Sequence, residues 1–190
     1  MEASGDSYDI QRVRAGNVEA YSRLVERYRD MVYTVCIRML GNEADAEEAA
    51  QDAFIKAFRA LNDFQEKSKF STWLYRIAYN QCISVIRKKV KLIDLVDDVP
   101  ETGTEDTSLS GLDTLSREER SKYLQTAIDS LPETDAVVIT LFYYEELSLE
   151  EIAGITGLSG NNIRIKLHRS RKKIYQELHK LLKSEVSSIF

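Results

Sequence analysis

Arg164, His168, Arg169 and Lys172 recur at the spacing of one helical face, and Asn161 and Asn162 stand just before them. Guanidinium groups present paired donors that match the acceptor edge of guanine or a phosphate, and amides match adenine. No carboxylate lies among these side chains to repel an anionic partner. Ile165 falls on the same outward side, where an apolar group suits a thymine methyl. Such a face needs two short helices held at a fixed angle. Ser148 with Glu151 forms a capping box that opens the first helix. Ile152, Ala153 and Ile155 follow as inward positions, Gly157 can take the left-handed conformation that ends a helix, and Leu158 fills the angle. Ser159 then caps a second helix, in which Ile163, Leu167, Ile174 and Leu178 return to the inward side. This is the profile of a helix-turn-helix whose second helix enters a DNA major groove. A plain solvated basic helix would explain the charge, but not the agreement of cap, turn and stripe.

A second constellation lies earlier. The string FSTWLYRIAYNQCISVIRKK at 70–89 predicts a helix, opened by a Ser71/Thr72 cap, with Leu74, Ile77, Ala78, Cys82, Val85 and Ile86 inward. A different face carries Trp73, Arg76, Tyr79, Asn80 and Arg87, and the polar loop 62–69 before it contributes Phe64 and Lys69. Aromatic surfaces interleaved with cations suit unpaired bases and their phosphates. The plainer alternative is that Trp73 and Tyr79 are half-buried core at the helix edge. A third face is acidic. The predicted helix 45–61 buries Ala46, Ala49, Ala50, Ala53, Phe54, Ala57 and Phe58, and turns Glu47, Glu48 and Asp52 outward with Glu43 just ahead. Carboxylates in a first turn also suit the helix dipole, so some of them need no partner.

The remaining elements follow from the same signals. A short helix over 9–15 stops at Gly16. Asn17 caps a long one, with Tyr21, Leu24, Val25, Tyr28, Met31, Val32, Val35 and Met39 inward, ended by Gly41 and Asn42. Helical period is lost over 91–116, where Asp97, Asp98, Pro100, Gly103, Ser108, Ser110 and Gly111 describe an acidic tether. A second capping box, Ser116 with Glu119, opens a helix with Leu124, Ala127, Ile128 and Leu131 inward. Pro132 then starts a helix that buries Val137, Leu141 and Tyr144. The expected fold is all-α: two small helical domains, 1–91 and 116–190, joined by a flexible acidic linker at 92–115, the C-terminal one with the helix-turn-helix.

Composition agrees with a globular chain: of 190 residues, 43% are hydrophobic and 30% charged. The net charge of −5 conceals a division. Cations concentrate at 67–91 and 164–173, carboxylates at 43–52 and 94–119, and a binding surface responds to its local field. Cys36 and Cys82 lie in apolar stripes outside any metal or redox spacing, and two histidines are too few for a cluster. No metal, cofactor or catalytic constellation is expected, and so no enzyme. No apolar run reaches the roughly 20 residues of a membrane span, and the polar, acidic start is not a secretory leader. The expected compartment is cytoplasmic.

From about residue 9 to residue 182, the order of these motifs resembles a bacterial RNA polymerase sigma factor of the extracytoplasmic-function class, sigma-70 family. DAEEAAQDAFIKAF resembles the family's polymerase-binding helix, with Gln51, Asp52 and Phe54 matching. KFSTWLYRIAYNQCISVIRKK resembles its promoter-melting and −10 segment, and SLEEIAGITGLSGNNIRIKLHRSRKKI its −35 reader. The resemblance implies a transcription initiation factor with a region 2 domain, a linker and a region 4 domain. It further implies core RNA polymerase as partner through its β′ clamp and β flap, with Asp45, Glu48, Gln51, Asp52 and Phe54 as the polymerase-binding residues. Promoter DNA would be read at −10 by Phe64, Lys69, Trp73, Arg76, Tyr79, Asn80 and Arg87. At −35 the readers would be Ser159, Asn161, Asn162, Arg164, Ile165, His168, Arg169 and Lys172. An anti-sigma factor is the expected regulator. Two departures bear on which promoter is read. Ser84 stands where an acidic residue is common, and Asn162-Ile163-Arg164-Ile165 replaces a common Thr-Val-Lys-Ser run. The rival readings are a sigma mimic that sequesters an anti-sigma factor and a stand-alone helix-turn-helix regulator.

Overall fold

Side-chain caps and left-handed glycines set the helix limits. The computed structural model describes residues 3–90 and 116–188, which hold eight α-helices and no strand. The N-terminal half contains α1 (Ala3–Arg14), α2 (Glu19–Leu40), α3 (Glu43–Ala60) and α4 (Phe70–Val90), with a 3-10 turn at Leu61–Asp63. The C-terminal half contains α5 (Arg117–Asp129), α6 (Glu133–Tyr143), α7 (Leu149–Thr156) and α8 (Gly160–Ser188). The Asn17 side chain accepts from Ala20 N at 3.2 Å. Gly41 ends α2 at φ 63°, and the Asn42 side chain accepts from Asp45 N to open α3. Both capping boxes form, Ser116 with Glu119 and Ser148 with Glu151. The expected tether at 92–115 lies outside the described residues.

In the N-terminal half, α2, α3 and α4 pack on one another, and α1 lies against α2. Ala46, Ala49, Ala50, Ala53 and Ala57 give α3 a small-residue face that admits its neighbours closely. Leu24, Val32, Val35 and Met39 of α2 meet Leu74, Ala78 and Cys82 of α4 in the same buried cluster. Cys36 and Cys82 are reduced and buried against each other, and this contact together with burial pushes the Cys36 thiol up. In the C-terminal half, α8 packs across α5, α6 and α7.

The two halves also pack on one another, α2 against α6 and α4 against α7, and the buried apolar cluster runs without a break through both. Polar contacts cross the seam as well. The buried Arg38 pairs with Asp129. The Tyr75 hydroxyl donates to Glu145 Oε2 at 2.6 Å, and Lys69 pairs with Glu151 at 3.3 Å. Desolvation raises the Tyr75 pKa, and the hydrogen bond to Glu145 adds to the rise.

Several inward assignments differ from expectation. Ser71 and Thr72 lie inside the first turn of α4 rather than capping it; the helix begins at Phe70, and Trp73 N donates to Lys69 O at 3.2 Å. Phe58, Leu124 and Tyr144 are exposed instead of buried. On α3 the alanine stripe already completes the inward face. At the end of α6, Leu141 and Leu147 close the core and leave Tyr144 outside.

Candidate nucleic-acid interface

The C-terminal site is built from its turn outward. Ile152 and Ile155 bury one face of α7, and Gly157 ends it at φ 75° with its N–H donating to Ala153 O. Ser159 Oγ accepts from Asn162 N at 3.2 Å and so caps α8. Ile163 and Leu167 then drop into the core, with Ser170 buried beneath them. Lys166 reaches back to pair with Asp135 at the start of α6, fixing the angle of α8. Ser159, Asn161, Asn162, Arg164, Ile165, His168, Arg169 and Lys172 all remain exposed, on a stretch of helix with no carboxylate. Ile165 is 41% exposed, so packing does not hide it.

The earlier constellation is brought together in part. Trp73, Arg76, Asn80 and Arg87 follow one another by three, four and seven residues and share a side of α4; Trp73 is half-buried and the other three are exposed. Tyr79 is different. It sits in the core with Tyr75, Ala78 and Cys82, and offers no ring to a base. Phe64 is also buried, its ring 4.8 Å from Trp73 and 5.9 Å from Phe70. It props the aromatic surface from behind instead of lining it. Lys69 is exposed but already paired with Glu151 across the seam. Ser84 Oγ donates to Asn80 O at 2.9 Å, a local bond in place of any charge pairing. Beside this face lies an open cavity of about 800 Å³, lined by Arg27, Tyr28, Phe64, Phe70, Tyr75 and Glu145 among others.

The acidic helix keeps Glu48 and Gln51 exposed, while Asp52 and Phe54 are half-buried. Asp52 accepts from Gln81 Nε2 at 2.7 Å, and Asp45 is held by Lys89 of α4, so both are partly engaged within the chain. The unforeseen feature is apolar. Ile55 is 47% and Phe58 39% exposed, three residues apart and close to Gln51. Apolar centres rimmed by charge are the usual anatomy of a protein interface. The alanine pattern already implied it, because an inward stripe of alanines leaves no room for these side chains. Among the described residues, no helix is long and apolar enough to cross a membrane.

The Sigma-70 region 2 family profile matches residues 24–91, and the Sigma-70, region 4 profile matches residues 121–174. The chain is 38% identical over 181 residues to the ECF RNA polymerase sigma factor SigW of Bacillus subtilis, covering 90% of this chain and 96% of that protein. It is 32% identical over 185 residues to the ECF RNA polymerase sigma-E factor of Escherichia coli K12, covering 94% and 96% respectively. Among solved structures it is similar to CnrH in complex with the cytosolic domain of CnrY. The TM-score there is 0.63 at 22% identity, covering 93% of this chain and 98% of that one. It is equally similar to the sigma factor RpoE of Bartonella quintana, solved with the anti-sigma factor NepR, at TM-score 0.63 and 22% identity over 86% and 98% of the two chains.

Proposed function

The chain belongs to the extracytoplasmic-function sigma factors of the sigma-70 family, transcription initiation factors rather than enzymes, and from that membership we propose how its faces divide the work. The acidic face of α3, with Glu48, Gln51 and Asp52 around Ile55 and Phe58, docks on the β′ clamp of core RNA polymerase. Complementary charge would speed the encounter, and the exposed apolar pair would supply the buried contact. The C-terminal half seats α8 in the −35 major groove and touches the β flap. Arg164 and Arg169 are suited to bidentate guanine or phosphate contacts, Asn161 and Asn162 to base edges or phosphates, and Lys172 to the backbone.

At −10, the side of α4 bearing Trp73, Arg76, Asn80 and Arg87 follows the separated non-template strand, and an unstacked base settles near loop 62–69. Unstacking costs a few kcal/mol per base, which stacking and phosphate contacts can offset. No hydrolysis is required. The two elements lie about 25 base pairs apart, roughly 85 Å at about 3.4 Å per pair. A chain whose halves are packed together cannot span that distance, so the seam between α2/α4 and α6/α7 must open on loading. Held this way, two weak DNA contacts on one chain reinforce each other through effective concentration. An anti-sigma partner would act by covering these same faces.

The observation that carries this reading is the exposed, carboxylate-free face of α8, set on a capped helix-turn-helix in the same chain as the basic and aromatic side of α4. Run-off transcription with purified core polymerase tests it, on the DNA upstream of the protein's own operon. Transcripts that require the protein are expected. Stable core binding with no transcript from any upstream template would instead favour a sigma mimic.

A further inference from the structure

α1 is fastened to α2 by carboxylates that are nearly out of solvent. Asp6 takes a hydrogen bond from the Tyr28 hydroxyl at 2.5 Å and pairs with Arg27, while Asp9 pairs with Arg27 at 3.4 Å and Arg23 at 3.5 Å. The fastening fixes where α1 ends, and its last residue is Arg14. That side chain crosses to the loop after α3. Nε and Nη2 donate to Leu61 O at 3.3 and 3.1 Å, Nη2 donates also to Phe64 O, and Nη1 pairs with Glu66 Oε1 at 2.8 Å. Leu61 opens the terminal 3-10 turn and Phe64 caps it; Leu61 O already accepts from Phe64 N at 3.3 Å, and the carbonyls of a helix end favour a cation beside them. Glu66 sits at φ 55°, a left-handed conformation uncommon for glutamate. The ion pair with Arg14 helps to hold it there. Beyond the staple, Phe64 rests on Trp73, rings 4.8 Å apart and inclined by 34°.

We propose that Arg14 is a positioning residue for strand opening: it locks loop 61–66 so that Phe64 backs Trp73 and the loop presents a preformed edge to an unstacked base. The proposal rests on the reading of loop 62–69 as the place where that base settles. Arg14 touches no DNA in this scheme. A single side chain gathers two carbonyls and a carboxylate into one geometry, and its removal frees all three at once. Lysine carries three donors on a single nitrogen, without the planar fork that spreads over two carbonyls and a carboxylate, and so holds them less completely.

The sequence contains a single tryptophan, Trp73, so the free protein reports on the loop directly. Acrylamide quenching of Trp73 is measured for wild type, Arg14→Ala and Arg14→Lys, with circular dichroism to confirm that each variant folds. Arg14→Ala is expected to raise quenching clearly and Arg14→Lys to fall between the two. Permanganate reactivity of −10 thymines in the complete polymerase complex should then show opening slowed about 10- to 100-fold for Arg14→Ala, the scale of a displacement near 1 Å. Core binding and −35 protection should be unchanged, with partial recovery in Arg14→Lys. Normal quenching in Arg14→Ala, or raised quenching with normal opening, would overturn the role. A Gln65→Ala/Lys67→Ala variant, altering two exposed loop side chains, separates the two ideas. If it opens DNA like wild type, the loop reading falls and the Arg14 proposal with it. If it slows opening while Arg14→Ala does not, only the Arg14 proposal falls.

Discussion

Replacing Glu145 by alanine should open the seam between the halves. The Tyr75 hydroxyl is fully buried and donates to Glu145 Oε2 at 2.6 Å. Removing the acceptor leaves that hydroxyl without its charged partner, at a cost of about 1–3 kcal/mol. Every ~1.4 kcal/mol is a tenfold change in an equilibrium, so closed-to-open ratios should fall about 5- to 150-fold. Adding Asp129→Ala withdraws the partner of Arg38, whose buried guanidinium is already disfavoured by desolvation. Asp129 is half exposed and screened, so its share is smaller than that of a fully buried pair. Small-angle scattering of the free protein reads the result. One 190-residue body has a radius of gyration of about 16 Å. Two bodies of about 90 residues with centres ~40 Å apart give about 23 Å. Wild type should lie near the first value, and Glu145→Ala/Asp129→Ala should move toward the second. An unchanged radius in the double variant would refute the role given to these contacts, and an expanded wild type would refute the packed seam itself.

Four further outcomes follow from the same geometry. Arg169→Ala should weaken −35-dependent transcription by about 5- to 150-fold, the worth of a bidentate contact, without lowering affinity for core polymerase. Glu48→Lys with Asp52→Lys should do the reverse in a core-binding titration, and identical defects in the two sets would show that the faces are not separate. Trp73→Ala should reduce permanganate reactivity of −10 thymines more than it reduces closed-complex binding measured by mobility shift. For Glu151, burial pushes the carboxyl upward, but hydrogen bonds from the Ser148 N–H and hydroxyl and the contact with Lys69 outweigh it, and the net pKa lies below the ordinary 4.5. A depressed folded pKa means a stabilisation complete above 4.5 and lost as pH falls through the lower folded value. Glu151→Gln should therefore flatten the decline of melting temperature below that pH, and an identical decline would argue against the contribution.

Local chemistry was legible in the sequence wherever one signal sufficed. Ser116, Ser148 and Ser159 mark helix starts because a short polar side chain satisfies orphan N–H groups, whereas Asn42, read with Gly41 as the end of α2, proves to open α3. Gly41 and Gly157 mark ends because they take positive φ at little cost. The exposed face of α8 followed from its inward stripe. Burial on α4 was less legible, because this helix packs against α2, α3 and α7 at once and a single apolar stripe cannot describe it. Tyr75, Tyr79 and Gln81 are buried there alongside the expected Leu74, Ala78 and Cys82. The pairing of Arg38 with Asp129 and the reach of Arg14 to Leu61 join distant parts of the chain through tertiary packing, which periodicity does not encode. The exposed pair Ile55 and Phe58 was within reach, since the alanines of α3 had already filled the inward face.

In the proposed mechanism, one chain reads a −35 element with α8 and opens DNA at −10 with α4. A footprint of core polymerase plus this protein on its promoter, combined with permanganate probing of the same complex, measures both together. Protection near −35 with a reactive bubble at −10, each lost on mutating its own face, is the predicted result. Protection without a bubble, or binding to DNA that does not depend on polymerase, would contradict it and leave a stand-alone helix-turn-helix regulator.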